Sequence, residues 1–414
     1  MQASERRVLA CRVSNSMKVL MFGWEFPPLS SGGLGTACYG LTKSLSKKGV
    51  EITFVLPYSF DTDNADFVKL VSAGSIKIKR IASALQPYMS SQEYKKSLGK
   101  KPGPKIYGST LFDEVHRYTL AAEKIAEEED FDVIHCHDWM TFGAGISAKR
   151  KKSKPLVLHV HSTELDRTGG HKVNQYVYDL ERDGMQKADR IIAVSNFTKN
   201  KIMAHYGAPV EKIKVVHNAV DFSQHYHDES FEIKKTDKVV LFLGRITLQK
   251  GPDYFLYAAK KVLEKEKNVK FIVAGSGDME PFVIEKAAEL GIADKVLFAG
   301  FLSQGDVERA YKMADVYVMP SVSEPFGITA LEAMKNKAPT IVSKQSGVSE
   351  VIRHCLKVDF WDVDEISNKI VSLLRYKALH ETLSESGYTE VKKVNWDTPA
   401  QKCIEVYNEL ISKG

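Results

Sequence analysis

Short runs of β-branched and apolar residues alternate along the chain with longer segments whose apolar positions recur at helical spacing. This alternation predicts βαβ units and a mostly parallel sheet. In the first half the predicted strands are Lys18–Gly23, Glu51–Leu56, Asp132–Cys136, Leu156–His161, Arg190–Val194 and Lys214–His217. The predicted helices between them include Leu34–Lys48, Leu111–Glu128, Asn174–Lys187 and Phe197–His205.

A second series of the same kind follows a polar stretch, Asp221–Asp237, which is the predicted linker. A chain of 414 residues is too long for one ordinary core. We therefore expect two domains, 17–220 and 221–394. We expect a final helix in 395–414 to pack back on the first domain and residues 1–16 to form an extension outside the fold. The strands predicted for the second series are Val239–Leu243, Lys270–Ala274, Val296–Ala299, Val316–Met319 and Pro339–Val342.

Composition and charge narrow the class of protein. No uninterrupted apolar run reaches the roughly 18 residues of a membrane span. The net charge of +6 is modest; it suits anionic small ligands and leaves peripheral contact with acidic membrane surfaces open. The basic cluster 149–152 lacks interleaved aromatic residues, so we expect no nucleic-acid binding. Five scattered cysteines without metal-ligand spacing fit a reducing compartment, and we expect a cytoplasmic protein.

Two motifs at predicted strand-to-helix turns are suited to binding an anion. The first is the glycine cluster of Gly32 and Gly33, followed by Leu34, where a ligand can approach the backbone closely and reach the free N–H groups of a helix start. A tight turn would need glycine as well, so this motif alone leaves the choice open. The second is Arg245 and Lys250, whose side chains can converge on a diphosphate across one loop.

The third motif, at 323–332, is the most specific. Glu324 lies in a loop after a buried strand, and Glu332 lies in the second turn of the helix that follows. Carboxylate oxygens accept hydrogen bonds from vicinal hydroxyls of a sugar or a ribose. The backbone N–H groups at the helix start add a positive end beside them, and this part of the motif comprises Phe326, Gly327, Ile328 and Thr329.

Histidine pairs follow two predicted strands of the first half, accompanied by Asp138, Trp139 and Glu164. Histidine and carboxylate are zinc ligands, so a metal site is one interpretation. We expect the two histidines within each pair to point to opposite faces of their strand, and we favour hydrogen bonding to sugar hydroxyls, with no metal. The pairs are His135 with His137 and His159 with His161.

Together these motifs resemble retaining glycosyltransferases of family 4, which have the GT-B fold: two facing Rossmann-like domains with parallel sheets and a cleft between them. The resemblance extends from Met17 onward. The opening segment 24–28, the glycine cluster and the His-Asp-Trp segment 137–139 are similar to members of the glycogen and starch synthase type. The usual synthase signature has a lysine before the glycine pair, whereas Ser30 and Ser31 stand here.

The resemblance implies roles for individual residues. Arg245 and Lys250 would neutralise the diphosphate of a nucleotide-sugar donor, and Glu332 would hold its ribose. Glu324 and His161 would contact the donor sugar, His161 near the reacting carbon. Residues expected to line the donor site with them are Gly32, Gly33, Leu34, Phe326, Gly327, Ile328 and Thr329, while Asp138, Trp139 and Glu164 are expected to contact acceptor or sugar.

The expected activity is transfer of a hexose, glucose first, from a nucleotide diphosphate to a carbohydrate such as an α-glucan, without a metal cofactor. Three alternatives remain open: a family 4 enzyme acting on another acceptor, a nucleotide-sugar epimerase, and a non-catalytic carbohydrate-binding subunit. The segment Pro57–Gly108, which includes Tyr58, Phe60, Tyr88, Tyr94 and Tyr107, is a candidate acceptor surface or a loop with aromatic side chains tucked beneath it. The Asp-x-Asp segments 61–63 and 362–364 are interpreted as turn or capping residues.

Overall fold

The structure is a computed structural model that describes residues 16–27, 32–57, 76–80, 111–222 and 237–412, with only the backbone of 76–80. Two parallel β-sheets, each flanked by helices, organise these residues. The expectation of an α/β protein with two Rossmann-like domains is therefore confirmed. We call the part around the first sheet the first lobe and the part around the second sheet the second lobe.

The first lobe contains a seven-stranded sheet in the order β3-β2-β1-β4-β5-β6-β7, with every neighbouring pair parallel. The strand order reverses between β1 and β4, and ligands bind at such switch points in open α/β sheets. The strands are β1 (Lys18–Phe22), β2 (Glu51–Leu56), β3 (Ile76–Arg80), β4 (Val133–His137), β5 (Leu156–Val160), β6 (Arg190–Ala193) and β7 (Ile213–Val215). The helices are α1 (Gly33–Lys47), α2 (Leu111–Glu128), α3 (Trp139–Lys152), α4 (Glu164–Arg167), α5 (Gln175–Lys187) and α6 (Asn196–Lys201).

The second lobe repeats this plan with six strands in the order β10-β9-β8-β11-β12-β13. Its strands are β8 (Lys238–Leu243), β9 (Val269–Ala274), β10 (Val296–Gly300), β11 (Val316–Met319), β12 (Thr340–Ser343) and β13 (Leu356–Val358). The remaining helices are α7 (Pro252–Lys265), α8 (Glu280–Glu289), α9 (Gln304–Met313), α10 (Ile328–Lys335), α11 (Val363–Arg375), α12 (Lys377–Val391) and α13 (Asp397–Ile411).

Helix α3 has no counterpart among the predicted helices. Small buried residues make up much of it, so its sequence lacks a clear apolar stripe. A Cβ atom at Gly145 would lie 2.2 Å from the sulfur of Cys136 on the sheet. Glycine at this position lets the helix pack closely on the strands. Such close packing replaces the long apolar side chains by which amphipathic helices are recognised.

The last helix, α13, packs against α1 of the first lobe. Its buried residues Cys403 and Tyr407 belong to the same apolar cluster as Leu41 and Leu45 of α1. The Trp396 ring, just before α13, occupies the space where a Cβ atom of Gly40 would stand. The chain therefore returns to the first lobe after completing the second. Among the described residues, no helix is both long and apolar enough to cross a membrane.

Two segments named above have other outcomes. The side chain of Asp362 accepts from the backbone N–H of Glu365 and caps α11, which confirms its interpretation as a capping residue. The segment 61–63, the extension 1–15 and most of Pro57–Gly108 lie outside the described residues. Strand β3 is the described part of that last segment beyond Pro57 itself.

Candidate active site

The first part of the site is the loop that follows strand β8. The backbone N–H of Gly244 donates to the carbonyl oxygen of Ala274 at the end of β9, at 3.0 Å. Gly275 has a φ of +131°, and a Cβ atom there would lie 1.9 Å from the carbonyl oxygen of Gly244. Only glycine fits, since any side chain would collide with the backbone. This close approach of two strand ends fixes the backbone from which Arg245 projects.

The two predicted cations lie on this loop. Lys250 ends a single 3₁₀ turn, and its Nζ lies 2.5 Å from Oε2 of Glu324. The Lys250 side chain is 20% exposed and that of Glu324 is 7% exposed, so the ion pair is largely shielded from water. Arg245 Nη2 donates to Oε1 of Gln249 at 3.4 Å. The structure thus joins Lys250 directly to Glu324 and holds Arg245 on the same loop.

Glu324 lies in a loop after β11 that is braced from several sides. Its backbone N–H donates to the carbonyl oxygen of Gln345, and its own carbonyl oxygen accepts from Gly347, both at 2.9 Å. The hydroxyl of Ser321 donates to Oε2 of Glu324 at 3.1 Å. Gly327, with a φ of +105°, then turns the chain into helix α10. Backbone pairing therefore holds this loop in place independently of any ligand.

Helix α10 begins at Ile328, so the backbone N–H groups of 326–328 lie at its positive end. Phe326 and Ile328 are buried, and Thr329 is half-buried. One turn later, Glu332 Oε2 accepts a hydrogen bond from the hydroxyl of Tyr311, at 3.2 Å. Burial raises the pKa of the Glu332 carboxyl above its usual range. A buried carboxyl of this kind is stabilised by hydroxyl donors.

The two carboxylates of the motif lie within electrostatic reach of one buried phenol. The hydroxyl of Tyr317 on β11 donates to the carbonyl oxygen of Leu243, at 3.3 Å. Burial raises the pKa of Tyr317, and the charges of Glu324 and Glu332 raise it further. Glu324 and Glu332 are thus grouped around the end of β11 in the second lobe.

The glycine cluster lies at the start of α1 in the first lobe. Gly33 is the first residue of this helix, Gly32 precedes it in an extended conformation, and Leu34 is buried. Among the described residues, a Cβ atom at Gly33 would meet no atom within 4 Å. Packing within the described residues therefore does not require glycine here, and the space beside Gly33 is open to a ligand. Ser30 and Ser31 lie outside the described residues.

Four histidine side chains form a stack on one face of the first sheet. The expectation that each pair points to opposite faces is wrong, because residues two apart in a strand share a face. His137 is the register partner of His159. The ring centroids of His135 and His137 are 4.5 Å apart, and those of His159 and His161 are 4.2 Å apart. We call these four residues the histidine stack; α1 and α13 cover it.

Hydrogen bonds link the rings of the stack in pairs. Nε2 of His135 lies 3.2 Å from Nδ1 of His159, and Nδ1 of His137 lies 3.0 Å from Nε2 of His161. The hydroxyl of Tyr407 on α13 lies 2.5 Å from Nδ1 of His135. Burial lowers the pKa of all four rings, to about 3 for His135 and His161. The stack is therefore neutral at neutral pH.

The stack also contains metal-ligand atom types. Ligand atoms of His135, His137 and His159 lie within 4.8 Å of one another, as do those of Cys38, His137 and His161. The rings of His135 and His137 are inclined by only 21°, and those of His159 and His161 by 23°. Nitrogen lone pairs lie in the ring planes, so stacked rings do not aim them at one point. The geometry favours hydrogen bonding.

Asp138 connects the two strand ends that carry the stack. Its Oδ1 accepts the backbone N–H of His161 at 2.7 Å and that of Ser162 at 3.2 Å. Its φ of +62° is unusual for a residue with a side chain. Burial raises the pKa of Asp138 to about 7, although Arg167 and the two N–H donors act in the opposite direction. Asp138 thus fixes the backbone of His161 and Ser162 through these two hydrogen bonds.

The structure places Trp139 and Glu164 differently from Asp138. The Trp139 ring packs with the helices on the other side of the sheet, 6.2 Å from the ring of Phe112. Glu164 Oε2 lies 3.2 Å from Arg167 Nε, and Oε1 accepts the backbone N–H of Asn174 at 3.0 Å. Both oxygens of Glu164 are therefore engaged within the first lobe. Contact of either residue with acceptor or sugar stays a prediction.

The two lobes meet beside Glu324. The hydroxyl of Ser323 donates to Oδ1 of Asp166 at 2.6 Å and accepts from Nζ of Lys201 at 2.7 Å. Lys201 and Asp166 also form an ion pair. The hydroxyl of Ser195 donates to the carbonyl oxygen of Pro325 at 2.6 Å. Sequence reasoning missed this group, because no motif links residues from separate lobes.

This arrangement suits one kind of ligand. Two cations and a helix start are suited to binding a diphosphate. Two carboxylates and a neutral histidine are suited to binding hydroxyl groups. Both sets stand where the carboxyl ends of parallel strands of the two lobes face each other. The fold and the site define a glycosyltransferase of the GT-B type.

The chain belongs to glycosyltransferase family 4. Residues 31–224 match the family described as Glycosyltransferase Family 4, and residues 224–390 match Glycosyl transferases group 1. An uncharacterized glycosyltransferase of Methanocaldococcus jannaschii is 30% identical over 94% of this chain and 98% of its own length. The glycogen synthase of Mycobacterium tuberculosis strain H37Rv is 24% identical over 81% of this chain and 80% of its own.

Solved structures share the fold. The sucrose-phosphate synthase of Thermosynechococcus elongatus superposes with a TM-score of 0.75 at 18% identity, covering 96% of this chain and all of its own. The Anabaena protein HepE, in complex with UDP-glucose, gives a TM-score of 0.70 at 17% identity, covering 95% of this chain and all of its own. At these identities the likeness establishes the GT-B architecture.

Proposed function

We propose that the protein is a retaining hexosyltransferase that moves glucose from a nucleotide diphosphate to an α-glucan. The observation that carries the proposal is the shielded contact between Lys250 and Glu324, which lies beside the start of α10. A cation, a carboxylate and free backbone N–H groups at one point fit a ligand that joins a diphosphate to a sugar. The similarity to a glycogen synthase supports glucan synthesis, and the similarity to HepE supports a glucose donor.

The second lobe acts on the leaving group in this proposal. Breaking the bond between sugar and diphosphate places negative charge on the departing oxygen. Arg245, Lys250 and the N–H groups at the start of α10 stabilise that charge where it forms. The loops that carry them are held by backbone pairing, so little reorganisation is needed at the moment of reaction. No step of this scheme uses a metal ion.

Lys250 has two roles under this proposal. Before the donor binds, it neutralises Glu324, whose carboxylate would otherwise be buried without a counter-charge. When the donor binds, the ammonium group turns toward the diphosphate, and Glu324 accepts hydrogen bonds from the sugar hydroxyls instead. Glu332 accepts from the ribose hydroxyls in the same way. The ion pair thus keeps both groups in place for the donor.

The first lobe holds the donor sugar and the acceptor. His161 contacts the sugar near the reacting carbon, and the open space beside Gly33 admits the diphosphate from the opposite side. Closing of the lobes excludes water and so suppresses hydrolysis of the donor. The acceptor surface is assigned to the segment 57–108, which lies largely outside the described residues.

The proposed location is the cytoplasm. The four described cysteines, Cys38, Cys136, Cys355 and Cys403, are buried and unpaired with one another. Free buried thiols fit a reducing compartment.

A donor and acceptor panel tests the proposal. Purified protein is incubated with UDP-glucose, ADP-glucose, GDP-mannose or UDP-N-acetylglucosamine, each with maltooligosaccharides or monosaccharides, and nucleotide release is measured. We expect release only with a glucose donor and a maltooligosaccharide, and an α-linked product. Release with another acceptor would replace the α-glucan assignment. Conversion of the donor sugar without an acceptor would identify an epimerase, and donor binding without any turnover would identify a binding subunit.

A further inference from the structure

Two ring nitrogens of the histidine stack have no hydrogen-bond partner among the described residues. They are Nε2 of His137 and Nε2 of His159, and both are buried. His137 is fully buried and His159 is 1% exposed. Each of these rings instead uses its Nδ1, toward His161 and His135 respectively. The absence of a partner at one nitrogen determines where the single proton of each neutral ring is placed.

A neutral histidine carries its proton on one of its two nitrogens, and the other nitrogen is an acceptor. A buried N–H without an acceptor loses its hydration without compensation. If His137 carried its proton on Nε2, that N–H would have no partner. If the proton is on Nδ1, it is donated to Nε2 of His161, 3.0 Å away. The sulfur of Cys38, a weak donor, lies within 4.8 Å of a ring nitrogen of His137.

The same reasoning gives a consistent result for the other pair. With its proton on Nδ1, His159 donates to Nε2 of His135. His135 then carries its own proton on Nδ1 and donates to the oxygen of Tyr407. Each contact in the stack has one donor and one acceptor, so no ring needs a second proton. The ring of Phe54 also stacks on His137, with centroids 6.0 Å apart, and limits its rotation.

We propose that His137 is a positioning residue that fixes the tautomer of His161. Because Nε2 of His161 accepts from His137, His161 carries its proton on Nδ1. Among the described residues, Nδ1 of His161 has no hydrogen-bond partner, and His161 is half-buried. His161 therefore offers a ligand an N–H donor and no acceptor. We therefore expect His161 to contact an acceptor atom of the ligand, such as a hydroxyl or phosphate oxygen, and this expectation rests on the proposed function. The assignment of the tautomer does not rest on the proposed function.

The tautomer can be measured directly. Protein labelled with ¹⁵N at histidine is examined by long-range ¹H–¹⁵N correlation spectra at neutral pH, where protonated and unprotonated ring nitrogens have different shifts. His161 is assigned from the spectrum of His161→Gln. We expect the Nδ1–H form for His161 and for His137. An Nε2–H form of His161, or metal-bound ring nitrogens in the purified protein, would overturn the proposal whether or not the protein has transferase activity.

Two variants of similar size separate positioning from packing. In His137→Asn the amide nitrogen takes the place of Nδ1 and can still donate, whereas His137→Leu removes the donor. We expect His137→Leu to lower kcat about tenfold with the donor KM nearly unchanged, and to give a mixture of His161 tautomers. His137→Asn restores both within about threefold. A pure Nδ1–H form of His161 in His137→Leu would show that another group sets the tautomer, and would contradict the proposal.

Discussion

The two lobes present different chemistry to the same cleft. In the second lobe, Arg245, Lys250 and Glu324 are charged groups on loops after the strands, and Glu332 is a buried carboxyl in α10. In the first lobe, the histidine stack is neutral and is built into the strands themselves, beneath α1 and α13. Charged groups are therefore concentrated in the second lobe, which is proposed to hold the diphosphate. Neutral groups that form directed hydrogen bonds are concentrated in the first lobe, which is proposed to hold the sugar.

This difference has a physical basis. A leaving diphosphate requires cations that act through space, and these tolerate some positional freedom. A sugar is recognised by hydrogen bonds, which require a donor or acceptor at a defined atom. In the first lobe, the tight packing of the histidine stack fixes the positions of the donor and acceptor atoms. In the second lobe, backbone pairing around Glu324 fixes them.

The largest expected effect tests the charged lobe. Lys250→Ala should lower kcat by roughly 10²–10³, because it removes one group that stabilises the leaving oxygen. Steady-state kinetics measure the effect, and the thermal unfolding midpoint reports on the fold. Lys270→Ala is the matched control, since the ammonium group of Lys270 is exposed and donates to a backbone carbonyl away from the site. Turnover like that of the wild type in Lys250→Ala would remove Lys250 from the mechanism.

A second prediction concerns Asp138 in the neutral lobe. The pKa of Asp138 is raised to about 7 by burial. Below that pH the protonated carboxyl accepts more weakly from the backbone at His161. We expect kcat/KM to fall as the pH drops below 7 and to level off once Asp138 is protonated, because the weakened contact remains. The neutral rings do not account for this fall, since their pKa values are lowered.

Asp138→Asn provides the check, because an amide does not titrate in this range. Its kcat/KM should vary less with pH between 5.5 and 7 than that of the wild type. Stability should change in the opposite sense. In the native state Asp138 keeps its proton up to about pH 7, whereas in the unfolded state it loses the proton near the ordinary pKa of an aspartate. Between these two pKa values the native state therefore binds more protons, and a rise in pH lowers the free energy of unfolding of the wild type. Identical pH profiles for the two proteins would exclude Asp138 as the titrating group.

The smallest expected effect tests Glu332. Tyr311→Phe removes the hydroxyl that donates to Glu332 at 3.2 Å while keeping the buried ring. We expect the donor KM to change about threefold with kcat nearly constant, because a ribose contact contributes binding rather than chemistry. Phe is also the conservative choice for stability, since the ring of Tyr311 packs at 5.5 Å against Tyr317. A large fall in kcat would place Glu332 closer to the reacting atoms than proposed.

Much of the fold could be predicted from the sequence, because in βαβ units short apolar runs of strands alternate with longer segments that have helical spacing. The charged motifs could be located for a related reason: Arg245, Lys250 and Glu324 come soon after the predicted strands Val239–Leu243 and Val316–Met319. The prediction for the histidines is wrong, since it places the two histidines of each pair on opposite faces of β4 and β5. Helix α3 could not be predicted, because small residues pack it closely on the sheet and leave no clear apolar stripe in its sequence. The contact of Ser323 with Asp166 depends on how two lobes dock, and no local pattern encodes that.

The return of α13 to the first lobe has a consequence for how the cleft opens. Val220, at the end of the first lobe, lies beside Val394, at the end of the second, and its backbone N–H donates to the carbonyl oxygen of Val394 at 3.3 Å. We expect the cleft to open by a rotation about an axis near these two residues, with small displacements close to them and large displacements at the outer edges of the lobes. The first lobe is also incomplete without the end of the chain. A fragment that stops at residue 222 would leave the apolar side of α1 and the imidazole of His135 uncovered.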